Sequence, residues 1–273
     1  MGVGFGALGP AAASAVAVPA FHPTRFTVEV EGRGPDVILI PGLGSGRHVW
    51  AGLVRALPGY RYHLIQVAGF AGSPVGGNRS GAVVSPLAAE LARYIAANRL
   101  VRPAIVGHSM GGTLAMMIGV RNPGLAGRIM AVDMLPQPSG LFGATSAGMN
   151  PLADRLRGVL ATPGGRQVLG SLLSAFSPPA ADERRSDPNL VGRVMHDLAR
   201  VDLGPHLARI TAPLTIVYAA PDARGAGPVT RTFTAAYARA PRTRLVRIEG
   251  AGHMVMLDQP ARFAQAVREF MAG

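Results

Sequence analysis

The sequence predicts an α/β protein: a mostly parallel β-sheet flanked by helices, with a helical segment inserted into it. Three observations carry this. Short apolar runs such as Val37-Ile38-Leu39-Ile40 alternate along the chain with helical patterns such as Val49-Trp50-Leu53-Val54-Leu57. Runs of this kind are continuous and not alternating, as expected of strands covered on both faces. Between residues 136 and 205 the rhythm breaks into Pro, Gly and Ser clusters with short helical patterns.

The elements follow in order. Phe26-Thr27-Val28-Glu29-Val30 alternates apolar and polar, the signature of an edge strand. Val37–Ile40 ends at Pro41-Gly42 and reads as a buried strand. A helix over 49–57 comes next, then the strand 62–67 and a Gly/Ser/Pro loop over 69–81. Leu87, Leu91, Tyr94 and Ile95 mark one face of a helix. A strand over 103–106, a helix over 112–120 and a strand over 128–133 complete the first half. The inserted stretch includes Leu152-Leu156-Val159-Leu160 and the polar run 182–187. Strands over 213–218 and 243–248 and helices over 229–237 and 263–271 close the chain. The organisation is therefore a core of residues 23–135 and 206–273, with a helical cap over 136–205. Residues 1–22 stand apart as a flexible tail or signal-peptide remnant: Ala7 to Ala20 is rich in Ala and Val with an A-x-A-like end, but no basic region precedes it. Export to the periplasm or beyond follows if this is a signal remnant, and a cytoplasmic location otherwise.

Composition narrows the function. Of the 273 residues, 48% are hydrophobic and 15% charged, enough to bury a large core. No run approaches the roughly 18 apolar residues of a membrane-spanning helix, so stable membrane insertion is not expected. All 27 basic residues are arginine and the formal charge is +12. The arginines are scattered, with Arg184-Arg185 the one adjacent pair, and no basic stripe carries interleaved aromatics. That pattern argues for compositional bias and against nucleic-acid binding. With no cysteine, disulfides, thiolate metal sites and a Cys nucleophile are excluded. The seven histidines show no metal-ligand spacing, so no metal is expected.

Chemistry is concentrated at Gly107-His108-Ser109-Met110-Gly111. A strand precedes this pentapeptide and a helix follows it. A serine on so sharp a turn sits in a strained conformation with its hydroxyl presented, and the flanking glycines leave room for strand and helix to approach. The amides opening the helix face any negative charge that develops nearby. A serine hydroxyl needs a base. His253, in Gly250-Ala251-Gly252-His253 between the last strand and Pro260, is the candidate. His108 adjoins the serine, but its side chain must turn away beneath it. The base in turn needs a carboxylate to fix its tautomer. Two aspartates lie at strand ends and keep the order Ser-Asp-His: Asp222 is the first choice and Asp133 the alternative.

These residues resemble the α/β-hydrolase superfamily, in its esterase/lipase-like branch with a helical cap. The resemblance spans residues 25–272 and rests on Pro41-Gly42-Leu43-Gly44-Ser45, Trp50, the Ser109 turn, the Asp222 loop and Gly252-His253 with Pro260. It implies an oxyanion hole at the Leu43 and Met110 amides, a pocket shaped by the cap, and no cofactor. Gly42, Met134 and Met254 join Leu43 and Met110 as candidate pocket residues, the methionines suiting an adaptable apolar surface. The expected activity is hydrolysis of a small apolar ester by a Ser109-His253-Asp222 triad through an acyl-enzyme. The same triad would serve amide, lactone or C–C hydrolysis or perhydrolase chemistry; a non-catalytic binding role fits a complete triad less well. Monomer and homodimer both remain open.

Overall fold

The computed structural model describes residues 21–139, 183–220, 226–240 and 242–273. Seven strands form one sheet in the order β1-β3-β2-β4-β5-β6-β7. They are β1 Phe26–Gly32, β2 Asp36–Ile40, β3 Arg61–Val67, β4 Ala104–His108, β5 Arg128–Val132, β6 Leu214–Ala220 and β7 Arg244–Glu249. β1 pairs antiparallel with β3, and every other pairing is parallel. Parallel neighbours require crossovers, which the helices supply. In the described residues these are α1 Ala51–Ala56, α2 Val84–Ala97, α3 Met110–Arg121, α4 Pro188–Ala199, α5 Ala226–Ala236, the single turn α6 Val255–Asp258 and α7 Pro260–Ala272.

The continuous apolar runs divide between the two faces of the sheet residue by residue. Ile38 and Ile40 join Ile65, Ile105, Ile129 and Ile216 in one layer, together with apolar residues of α2 and α3. Val37 and Leu39 join Val106, Met130 and Val217 in the other, with Trp50, Leu53 and the α7 residues Phe263 and Val267. α3 is buried nearly all round, Met116 and Met117 included, which makes them core residues.

The expected tail lies almost wholly outside the described residues, as does 140–182 of the expected cap, including Leu152–Leu160. The described remainder of that stretch carries α4, between β5 and β6 in the chain. Its start is written locally: Asp187 accepts the Leu190 amide at 2.8 Å, and Pro188 opens the helix. Its far end meets the core through Asp197, whose Oδ2 accepts the Val83 and Val84 amides at 2.6 and 3.1 Å. Those amides open α2 and have no intrahelical acceptor, so a residue of the inserted stretch satisfies a helix of the core.

Candidate active site

The C-terminal ends of β2, β4, β5 and β7 bring the candidate residues together. Ser109 stands between β4 and α3 with φ 51° and ψ −120°. This is the backbone of the first central residue of a type II′ turn, a position that favours glycine. A Cβ on Gly107 would collide with the Gly111 carbonyl, and one on Gly111 with the carbonyl of Ile40. The glycines therefore let β4, α3 and β2 close around the serine, as the sequence implied. The Ser109 amide donates to the Val132 carbonyl at 2.9 Å, tying the turn to the end of β5.

β5 ends one residue before Asp133, which also has positive φ, 50°. Its amide donates to Val217 O at 2.7 Å. Its carboxylate is fully engaged: Oδ1 accepts the Ala219 amide at 2.9 Å, and Oδ2 lies 2.7 Å from Nδ1 of His253. A carboxylate accepts, so the His253 proton sits on Nδ1 and Nε2 is left as an acceptor. The partner of His253 is thus the sequence's alternative, Asp133. The first choice, Asp222, lies outside the described residues, and the Nδ1 position expected for it is taken.

His108 is buried beneath the site. Its Nε2–H donates to the main-chain carbonyl of His253 at 2.9 Å, and the two rings lie with centroids 4.7 Å apart and planes tilted by 50°. Burial, reinforced by the neighbouring His253, lowers its pKa to about 3. It is a neutral strut between the serine turn and the histidine loop. Gly42 closes the other side: a Cβ there would lie 2.8 Å from His108 Nδ1 and 3.2 Å from the Ser109 Cβ.

The amides of Leu43 and Met110 have no acceptor among the described residues. Leu43 is the first central residue of a turn closed by Ser45 N–H to Gly42 O at 3.2 Å, with Gly44 at φ 77°. Of the candidate pocket residues, Met110 and Met134 are buried in the same apolar layer that Leu43 packs against. Met254 is buried in the opposite layer, with α7. The three methionines thus belong to two apolar layers, one on each face of the sheet. Among the described residues, no three His, Asp or Glu side chains cluster as a metal site would require.

A family model described as "Alpha/beta hydrolase family" matches residues 37–266. The chain belongs to that family. Among curated relatives, the pimeloyl-[acyl-carrier protein] methyl ester esterase of Aeromonas hydrophila is 27% identical over 264 residues, covering 90% of this chain and 98% of that protein. Among solved structures, a thermophilic esterase from Thermogutta terrifontis superposes with a TM-score of 0.69 at 21% identity, covering 90% of this chain and 93% of that one. The enol-lactonase from Burkholderia xenovorans LB400 gives 0.68 at 19% identity, covering 92% and 97%. The fold expected from sequence, a mostly parallel sheet flanked by helices, is the fold this hydrolase has.

Proposed function

We propose that this hydrolase cleaves carboxylic esters through an acyl-enzyme on Ser109, with His253 as base and Asp133 as the acid. The observation that carries the reading is the 2.7 Å contact between His253 Nδ1 and Asp133 Oδ2. It fixes the tautomer in which Nε2 can take a proton, and a serine held in a strained turn stands on the neighbouring strand. Asp133 replaces Asp222 as acid because an imidazole has one proton on Nδ1 to give, and Asp133 receives it.

In this mechanism Ser109 Oγ attacks the ester carbonyl as its proton passes to His253. Asp133 stabilises the resulting imidazolium. The Leu43 and Met110 amides receive the oxyanion, each contributing on the order of 3 kcal/mol. The alcohol leaves with the proton, and water releases the acid with His253 again as base. Leu43 and Gly42, beside the serine, are the pocket residues this geometry supports best.

The curated relative adds a narrower reading: the methyl ester of a carrier-bound pimeloyl group. The test is hydrolysis of p-nitrophenyl esters from acetate to laurate, alongside methanol release from a pimeloyl methyl ester. Wild type and Ser109→Ala are assayed together. Turnover lost in Ser109→Ala supports the serine mechanism, and the preferred ester sizes the pocket. Turnover that survives the substitution removes it.

A further inference from the structure

Among the described residues Ser186 makes no hydrogen bond to the serine turn or the histidine loop, yet it is hydrogen-bonded into the turn that carries Leu43. Its Oγ–H donates to the Gly44 carbonyl at 2.8 Å, and the same oxygen accepts the Ala71 amide at 2.9 Å. Gly44 belongs to the turn after β2. Ala71, at φ 50°, belongs to the turn after β3. One hydroxyl, using its donor and an acceptor lone pair, therefore bridges the two turns from a segment outside the core.

The neighbours of Ser186 are seated with it. The Asp187 amide donates to Gly69 O at 2.8 Å. A Cβ on Gly72 would meet the Arg185 guanidinium at 2.8 Å, and one on Gly69 would run into Leu190. Two glycines with positive φ thus make room for this stretch against the turn after β3. On the far side, the Arg47 amide donates to Gln66 Oε1 at 3.0 Å, which ties the chain beyond Ser45 to the end of β3.

Among the described residues, Ser45 N–H to Gly42 O is the main-chain bond that closes the turn, and Gly44 at the next position is the most conformationally free residue available. The Ser186 bond to Gly44 O fixes the peptide that follows. That same peptide supplies the Ser45 N–H that holds Gly42 O, and the Gly42–Leu43 peptide carries the Leu43 N–H, so rotation of the Gly44–Ser45 peptide would release the Leu43 amide from its line.

We propose that Ser186 is a positioning residue for the oxyanion hole, holding the Leu43 amide in line from the inserted segment. The proposal rests on the reading of Leu43 as an oxyanion donor. It makes transition-state stabilisation depend on how the inserted segment sits on the core, with no contact between Ser186 and substrate.

The test compares Ser186→Ala and Ser186→Thr with wild type on the best p-nitrophenyl ester, with an alkyl boronic acid as transition-state mimic. Ser186→Ala is expected to lower kcat about tenfold or more, in line with partial loss of one oxyanion donor, with KM changed less than twofold. Boronate affinity should fall with kcat/KM, and Ser186→Thr should recover most of both. Unchanged kcat and boronate affinity in Ser186→Ala would overturn the proposal. So would a protein that fails to fold, or equal losses in Ala and Thr, since either would give Ser186 to the fold. Turnover that survives Ser109→Ala would instead remove the reading beneath it; turnover lost there but indifferent to Ser186→Ala overturns this inference alone.

Discussion

His108 donates its Nε2–H to the main-chain carbonyl of His253, 2.9 Å away, so the residue before Ser109 braces the His253 loop. The Nε2–H donor is present in either protonation state, so what keeps His108 neutral is its burial, not the bond. Its pKa falls to about 3 in the folded chain from an ordinary 6.5, because it is buried and because His253 is beside it. The unfolded chain therefore takes up a proton below pH 6.5 that the folded chain refuses until about pH 3. Stability from this group is complete above 6.5 and declines through that window, by roughly 4–5 kcal/mol at its foot. Urea unfolding between pH 7 and 4 should show a steeper loss in wild type than in His108→Gln, which cannot titrate. Parallel curves would refute the assignment.

The two aspartates are separated by kinetics. Asp133→Asn should lower kcat roughly 10³- to 10⁴-fold, because an amide leaves His253 in the wrong tautomer. Asp222→Asn should stay within a few-fold of wild type. The reverse result would return the acid to Asp222.

At the opposite end of β2 lies a polar cluster unrelated to the chemistry. Asp36 receives two bonds from the Arg61 guanidinium, at 2.5 and 2.9 Å, and lies 2.8 Å from Nε2 of buried His63, whose Nδ1 meets the Tyr94 hydroxyl at 2.7 Å. The Arg61 bonds lead in holding the Asp36 carboxyl below its usual range. Its stabilising contribution is thus present above that range and lost as pH falls through the lowered value. Asp36→Ala should cost about 2 kcal/mol in urea unfolding by stranding a buried imidazole. The kcat at 25 °C should not change, and a fall in kcat at equal foldedness would tie the cluster to the site.

Gly111→Ala tests the packing around the serine. The added methyl would meet the Ile40 main chain, which cannot yield as a side-chain tip could. Soluble yield and melting temperature should drop sharply, while Gly52→Ala, where nothing lies within 4 Å, should be neutral or stabilising. Equal behaviour of the two variants would contradict this geometry.

The strands and the serine turn were legible in the sequence because each is set locally, by apolar runs and by glycines on either side of Ser109. The acid was harder. In the sequence, Asp133 and Asp222 each follow an apolar run that reads as a strand and both keep the order Ser-Asp-His, so chain order does not separate them. What supports Asp133 in the proposed mechanism is sheet register: Val132 pairs with Val217, which sets the Asp133 carboxylate against the Ala219 amide and within reach of the histidine loop. The one available signal was that β5 is the direct neighbour of the serine strand. His63 offered no pattern, since its partners come from β2 and α2. Ser186 was equally silent, because its acceptor lies 142 residues earlier in the chain.

The positive φ at Ser109 sets durability and turnover against each other at a single Cα. Ser109→Ala and Ser109→Gly both remove the hydroxyl, but only glycine is at ease in that conformation, by about 1 kcal/mol or more. Two equally dead proteins should therefore melt at different temperatures, the glycine form higher. On the mechanism proposed above, a lineage of this chain selected for heat resistance alone would drift toward glycine at position 109 and cease to be an enzyme.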